Sequence, residues 1–291
     1  METGILVVEK LRGKSTLTRC FSKYPLKFIV PNKVGSSKTD AAWVYSLTYG
    51  GGIVCGDCVS CDVTVGEGCT AVLTTQSSTK VYKSVGLKCS EQCFEARVGK
   101  DALLVLIPDP VTCFSTARYL QKQIFRMGLD STLVIVDWIT SGRHESGEKW
   151  DFKLYKSTNN IYLEDGQPLF LDSVLLEQGS TTTIVERMQN YQVIAMLILV
   201  GPKLKNVQNQ LQEELKRIMG EKFYMPSTLG RHSNTKSGPT KPTFVASCSA
   251  FGPKGIGLVV RIAATTTESV YKFLQHQLAS MEPLLGVSPY C

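Results

Sequence analysis

A chain of 291 residues with 43% hydrophobic and 20% charged side chains can bury a large core and carries no long low-complexity tract. Its 32 basic against 25 acidic residues leave a net charge of +7, spread along the chain without dense Lys/Arg blocks or aromatic–basic interleaving. That argues against nucleic-acid binding and leaves docking on an acidic protein partner, or plain solubility.

The N-terminus, METGILVVEKLRGK, has Glu2 and Glu9 and no apolar core of signal-peptide length. The longest apolar run, Val193 to Val200, is far short of a membrane span of about 20 residues. The expectation is a cytoplasmic, reduced protein without a membrane partner. Its ten cysteines then read as free thiols, mostly small buried hydrophobes, with no disulfide framework.

The first chemical question is posed by GGGIVCGDCVSCD, residues 50–62, where Cys55, Cys58 and Cys61 have spacings seen in zinc and iron–sulfur sites. From Asp57 onward, however, DCVSCDVTVG alternates as a strand does, so Cys58 and Cys61 point to opposite faces. If the extension reaches back to Cys55, that residue sits roughly 20 Å from Cys61. No paired His or second Cys pair supplies missing ligands, so no tight structural metal site is expected. A phosphate loop fails too, because no Lys-Ser/Thr and no apolar helix follow the glycines.

Three segments then align without gaps: VTVGEGCTAVLTTQ (63–76), ARVGKDALLVLIPD (96–109) and FRMGLDSTLVIVDW (125–138). Each has a short strand, a glycine (Gly66, Gly99, Gly128), a Gly or Asp two places later and an apolar run ending in polar residues. The glycines lie 33 and 29 residues apart, a loose repeat of about thirty. Each unit reads as a hairpin-like turn, with glycine giving the backbone its freedom. The near-continuous apolar second strands imply burial on both faces. Stacked units make a layered, helically wound β-body, spanning 1–186, with Thr75–Gln76, Pro108–Asp109 and Asp137–Trp138 along one edge.

Residues 187–291 read as a C-terminal α/β subdomain of order β-α-β-β-α, carrying two helices. The strand Val193–Val200 leads into a helix from Pro202, with Leu204, Val207, Leu211, Leu215 and Ile218 on one face. Residues 221–242, polar and rich in Ser, Pro and Gly, read as a mobile insertion. Strands Phe244–Phe251 and Gly257–Ala263 follow. The last helix is expected to start at Thr265, with Glu268 completing a capping box, and to stop at Pro283.

Catalytic patterns are scarce. There are three histidines: His144 beside Arg143, His232 in the insertion and His276 on the last helix. Neither G-x-S-x-G nor H-E-x-x-H occurs. The acidic residues Asp57, Asp109, Asp137 and Asp172 adjoin apolar or glycine-turned segments, where a carboxylate is less expected than on a helix face. Each is either a turn cap or a functional group.

The run YGGGIVCGDCVSCDVTVGEGCTAVLTTQSSTKVYKS, with VDWITSGRHESGE downstream, resembles the urease accessory protein D family, most closely its plant forms. The combination of GG-x-V-x-G-D, LTTQ-x-x-T-K-V-Y and D-x-x-x-x-GR carries the likeness. It implies layered, wound sheets plus two helices, and a non-enzymatic scaffold in urease maturation. The implied partners are apo-urease and an F accessory protein, which holds a GTPase, the G protein. The implied cargo is transient Ni²⁺, with no tightly bound cofactor. The family positions carried over are Asp57, Thr79, Lys80, Asp137, Arg143 and Asp172, to which the strand-edge argument adds Asp109. Cys55 and Cys58 fall where the family pattern requires no cysteine. The chemistry agrees, because a cage of imidazole and thiolate would hold nickel too tightly to release it, whereas scattered carboxylates would not. Two other classes share parts of this pattern: a wound-β polysaccharide-active enzyme using clustered acidic groups, and a thiol-based metal-binding protein.

Overall fold

The computed structural model describes residues 2–32, 39–128, 130–223 and 242–290. The chain opens with β1 (Gly4–Leu11), β2 (Lys14–Ser22), β3 (Leu26–Ile29) and β4 (Ala42–Thr48). Three coils follow. The first is β5 (Cys58–Val65), β6 (Thr70–Thr74) and β7 (Thr79–Val81); the second is β8 (Ser90–Val98), β9 (Leu103–Leu106) and β10 (Val111–Cys113). The third has β11 (Arg118–Met127) and β12 (Thr132–Thr140), whose far end pairs with β10. Next come β13 (Leu154–Leu163), β14 (Pro168–Glu177), the short helix α1 (Ile184–Met188), β15 (Val193–Val200) and α2 (Lys205–Phe223). The chain closes with β16 (Phe244–Phe251), β17 (Gly257–Ala264), α3 (Thr267–Leu278) and α4 (Glu282–Leu285).

Among the described residues the strands form two layered sheets. The seven-stranded sheet runs β14-β13-β11-β8-β5-β1-β2, and the ten-stranded sheet contains β16-β17-β15-β12-β9-β6-β4-β3. The coils stack in parallel: Cys58 lies opposite Glu91, and Glu91 opposite Leu120, the same offsets of 33 and 29 residues that separate the glycines. The wound, mainly β architecture expected from the repeat is therefore present.

The units are arches, not hairpins. β5 pairs with β1 and β8, while β6 pairs with β4 and β9, so the two strands of a unit belong to different sheets. The glycine turn carries the chain across the roughly 10 Å between layers. Its chemistry also differs from expectation. Gly66, Gly99 and Gly128 each donate N–H to the preceding coil, at Val8, Val65 and Val98, all at 2.8 Å. A Cβ on Gly99 would stand 3.0 Å from the Glu67 nitrogen and 3.1 Å from the Val65 oxygen. Glycine is needed there for close stacking of backbone. The left-handed conformation falls two residues later, at Gly68, Asp101 and Asp130, residue types that tolerate it.

Alternation along β12 explains its continuous apolarity. Leu133 and Ile135 enter the core between the sheets with Val63, Val65, Ala96 and Leu104. Val134, Val136 and Trp138 face the other way, against Leu204, Leu211, Phe273 and Leu274 of the helical layer. Each such side chain contributes about 1.5–3 kcal/mol on burial. The strands after residue 187 extend the second sheet, because β15 pairs with β12 and β17 with β15.

Two helix boundaries differ from expectation. Thr265 donates its N–H to the Thr243 carbonyl and stays with the strand, so Thr266 caps α3 by accepting from the Ser269 N–H. Pro283 sits inside α4 and does not stop α3, which ends at Leu278 in a tight turn over Ala279–Met281. Residues 221–223 belong to α2; the rest of the expected insertion up to 241, with His232, lies outside the described residues. No helix among the described residues is long and apolar enough to cross a membrane.

Candidate functional site

Beyond the apolar core, the inward face of the first sheet turns polar. Alternation sends Tyr119, Gln121 and Gln123 of β11 and Tyr155, Ser157 and Asn159 of β13 inward, all buried. Opposite them, β12 presents Asp137, also buried. Its Oδ1 accepts from Gln121 Nε2 at 3.0 Å and the Tyr155 hydroxyl at 3.5 Å. Its Oδ2 accepts from the Ser157 hydroxyl at 2.5 Å and Asn159 Nδ2 at 2.7 Å. Burial pushes the Asp137 carboxyl above the usual aspartate range, and these four hydrogen bonds only partly offset it. Among the described residues no cationic side chain bonds to Asp137, and its four partners are neutral donors.

Two cavities meet at this residue. One of about 160 Å³ is lined by Thr75, Thr79, Gln92, Asp109, Gln121 and Asp137 among others. The other, about 210 Å³, is lined by Asp137, Tyr155, Ser157, Met196 and Arg261 among others. Each has room for several waters and polar groups to hold them. Asp109 anchors the first. It accepts from the Thr75 hydroxyl at 3.1 Å and from the Tyr271 hydroxyl of α3 at 2.6 Å. Tyr271 packs edge-on against Trp138, which borders both cavities. Burial and its bond to Asp109 push the Tyr271 hydroxyl far up, so it stays a donor.

The seven residues singled out in the sequence therefore separate. Thr79, Asp109 and Asp137 share the first cavity. Asp57 accepts from the Val54 N–H at 2.9 Å, capping its own turn, and lines neither cavity. Lys80 is exposed on β7. Arg143 forks onto Glu148, with Nε to Oε2 at 3.0 Å and a second bond from its NH2 group, and lies 4.0 Å over the Phe114 ring. That guanidinium holds the Glu148 carboxyl below its usual range. Asp172, on β14, pairs with Arg261 of β17 at 2.6 Å, joining the sheets beside the second cavity.

The cysteines disperse as alternation requires: Cys58 is exposed and Cys61 buried on one strand, and Cys55 Sγ accepts from the Val85 N–H. Burial raises Cys61 to about 12, which keeps it a thiol. Among the described residues no three His, Cys, Asp or Glu side chains converge as metal ligands. His144 and His276 are exposed. Gln121, Ser157, Asn159, Tyr271 and Arg261 escaped the sequence reading. In YKSTNNIYL polar residues occupy both faces, so nothing there marks Ser157 and Asn159 as inward.

The family model for the UreD urease accessory protein matches residues 3–291. Urease accessory protein D of Arabidopsis thaliana is 63% identical over 293 aligned residues, covering all of both chains. Its counterpart in Oryza sativa subsp. indica is 60% identical, covering 99% of this chain and 95% of its own. Urease accessory protein UreD of an Anaeromyxobacter species is 31% identical over 99% of this chain and 88% of its own. A match of this extent, on a wound β-body with two C-terminal helices, shows that the chain belongs to the UreD urease accessory protein family.

Proposed function

We propose that this protein is a non-enzymatic scaffold of urease maturation, acting in the cytoplasm, that contacts apo-urease and the F accessory protein, and the G GTPase through F. In this reading Ni²⁺ is a transient cargo that crosses the body between the two sheets on its way to urease. The observation that carries it is the position of Asp137, a buried carboxylate that borders both cavities and has no cationic partner among the described residues. A buried charge held only by neutral donors is costly, and water or a passing cation relieves it. Oxygen donors from Asp, Gln, Ser and Tyr bind a divalent cation more weakly than thiolate or imidazole, so the ion can move on. Asp109 extends the series within the first cavity, Asp172 is assigned to it only through Arg261, which lines the second, and exposed Lys80 is assigned to partner contact. The family membership supports the setting.

The reading is tested by capture of apo-urease and F protein on the tagged chain, followed by nickel loading of the captured urease. Capture with nickel-dependent activation is expected. Failure to capture either protein refutes the scaffold role, and capture without activation refutes delivery.

A further inference from the structure

The seven-stranded sheet ends at β14, and among the described residues no strand pairs with its outer side. The Gln178 N–H bonds the Lys153 carbonyl and Leu154 stands opposite Glu177, so the even-numbered residues of β14 exchange their backbone bonds with β13. Leu171, Ser173 and Leu175 therefore turn N–H and C=O away from the sheet. Glu177 does the same, and the Arg187 guanidinium caps its carbonyl. At the other end Pro168 and a bulge, where Ile161 meets Phe170 and Tyr162 meets Pro168, close the edge. The open window is residues 170–176, FLDSVLL, with Ser173 at its centre.

Edge strands are usually blunted by charge, and β2 at the far side of the same sheet carries Lys14 and Arg19. The window on β14 is not. Its solvent face presents Leu171, 57% exposed, and Leu175, 53% exposed, on either side of Ser173. The charged residue within it, Asp172, is on the inner face and is held by Arg261 at 2.6 Å. The window also reads alike in both directions from Ser173: leucine two places away on each side, and an apolar residue, Phe170 or Leu176, three places away. A strand laid antiparallel across a two-fold axis at Ser173 meets that same pattern when it comes from an identical chain.

We propose that β14 is a self-association edge, on which a second copy of this chain adds its own β14 antiparallel about a two-fold axis at Ser173. Ser173 then exchanges backbone bonds with its counterpart, and Leu171 with Leu175 of the second copy, giving about six hydrogen bonds in all. The same register sets leucine against leucine twice on the solvent face and Asp172 opposite Val174. Two seven-stranded sheets become one. A single strand pair is smaller than a standard interface, so the dimer is weak, with a dissociation constant of about 10–100 μM. This edge lies apart from the two cavities' lining, Val174 excepted, and the proposal does not rest on the function assigned above.

The test is sedimentation velocity of the purified full chain from about 2 to 200 μM, in about 0.15 M salt to screen the net charge that each copy carries. The average mass is expected to rise from that of a monomer toward that of a dimer. Leu171→Lys with Leu175→Lys sets like charges opposite each other and should weaken the dimer at least tenfold. Leu171→Lys with Leu175→Glu sets lysine opposite glutamate twice and should restore it. A wild type that stays monomeric, a double-lysine variant that dimerises as the wild type does, or a lysine–glutamate variant no better than the double-lysine one overturns the proposal. If the double-lysine variant does not fold, Ser173→Cys decides, because this residue faces its counterpart with Cα atoms about 5.5 Å apart, within disulfide reach. A disulfide-linked dimer above the wild-type background on mild oxidation supports the edge, and its absence overturns it. A monomeric chain whose β14 variants lose apo-urease or F protein would give the edge to another protein's strand, which also overturns self-association.

Discussion

Thr75 and Asp109 hold each other across the first two coils. The Thr75 hydroxyl donates to Asp109 Oδ2 at 3.1 Å and accepts from the Asp109 N–H at 2.8 Å. One hydroxyl thus closes the edge where two coils meet the first cavity. Thr75→Val keeps the shape and leaves the Asp109 N–H unpaired, which should cost about 1–3 kcal/mol in urea unfolding. A variant as stable as the wild type would mean that the pair does not fasten the coils.

Asp109 is held from the helical layer as well, by Tyr271. Tyr271→Phe should cost about 1–2 kcal/mol. Because both hydroxyls act on one carboxylate, the double variant with Thr75→Val should depart from additivity by about 0.5 kcal/mol or more. Strict additivity would show that α3 and the coils grip Asp109 independently.

The arch turns offer a sharper test of the fold. Gly99→Ala puts a methyl against the Val65–Glu67 backbone of the preceding coil, where nothing can rotate away. The expected loss is about 2 kcal/mol, read from thermal unfolding. A negligible loss would mean that the stacked turns are looser than their hydrogen bonds imply.

The pH dependence follows from Asp137. Its carboxyl is raised in the fold by burial, so the native state binds its proton more tightly than the unfolded chain. Its stabilising share is complete below the ordinary aspartate value of 3.8 and is lost as pH rises through the raised native value. The stability of the wild type minus that of Asp137→Asn should therefore fall as pH is taken upward from 3.8. A difference that grows with pH would indicate a carboxylate stabilised in its charged form, by a cation absent from its partners here.

What was legible in the sequence divides along physical lines. The repeat was visible because stacked coils impose the same glycine and the same apolar run at matching offsets. The arch was not, since an arch and a hairpin share a turn composition and differ only in what each strand pairs with. Asp109 and Asp137 are conspicuous in the sequence because each is a carboxylate that closes an apolar run. Asn159 and Ser157 were hidden among polar neighbours, and Tyr271 and Arg261 lie 162 and 89 residues from the carboxylates they bind. Asp57 and Arg143 stood out in motifs whose visible work is local: one caps a turn, the other pins a loop to Glu148 and Phe114.

The central claim is that cargo passes Asp137. The most direct measurement is urease activation at limiting nickel by the complex carrying Asp137→Ala, with capture of apo-urease and F protein measured on the same sample. The account predicts full capture and activation reduced about tenfold, recovering in part as nickel is raised. Full activation at limiting nickel, with capture intact, would contradict it.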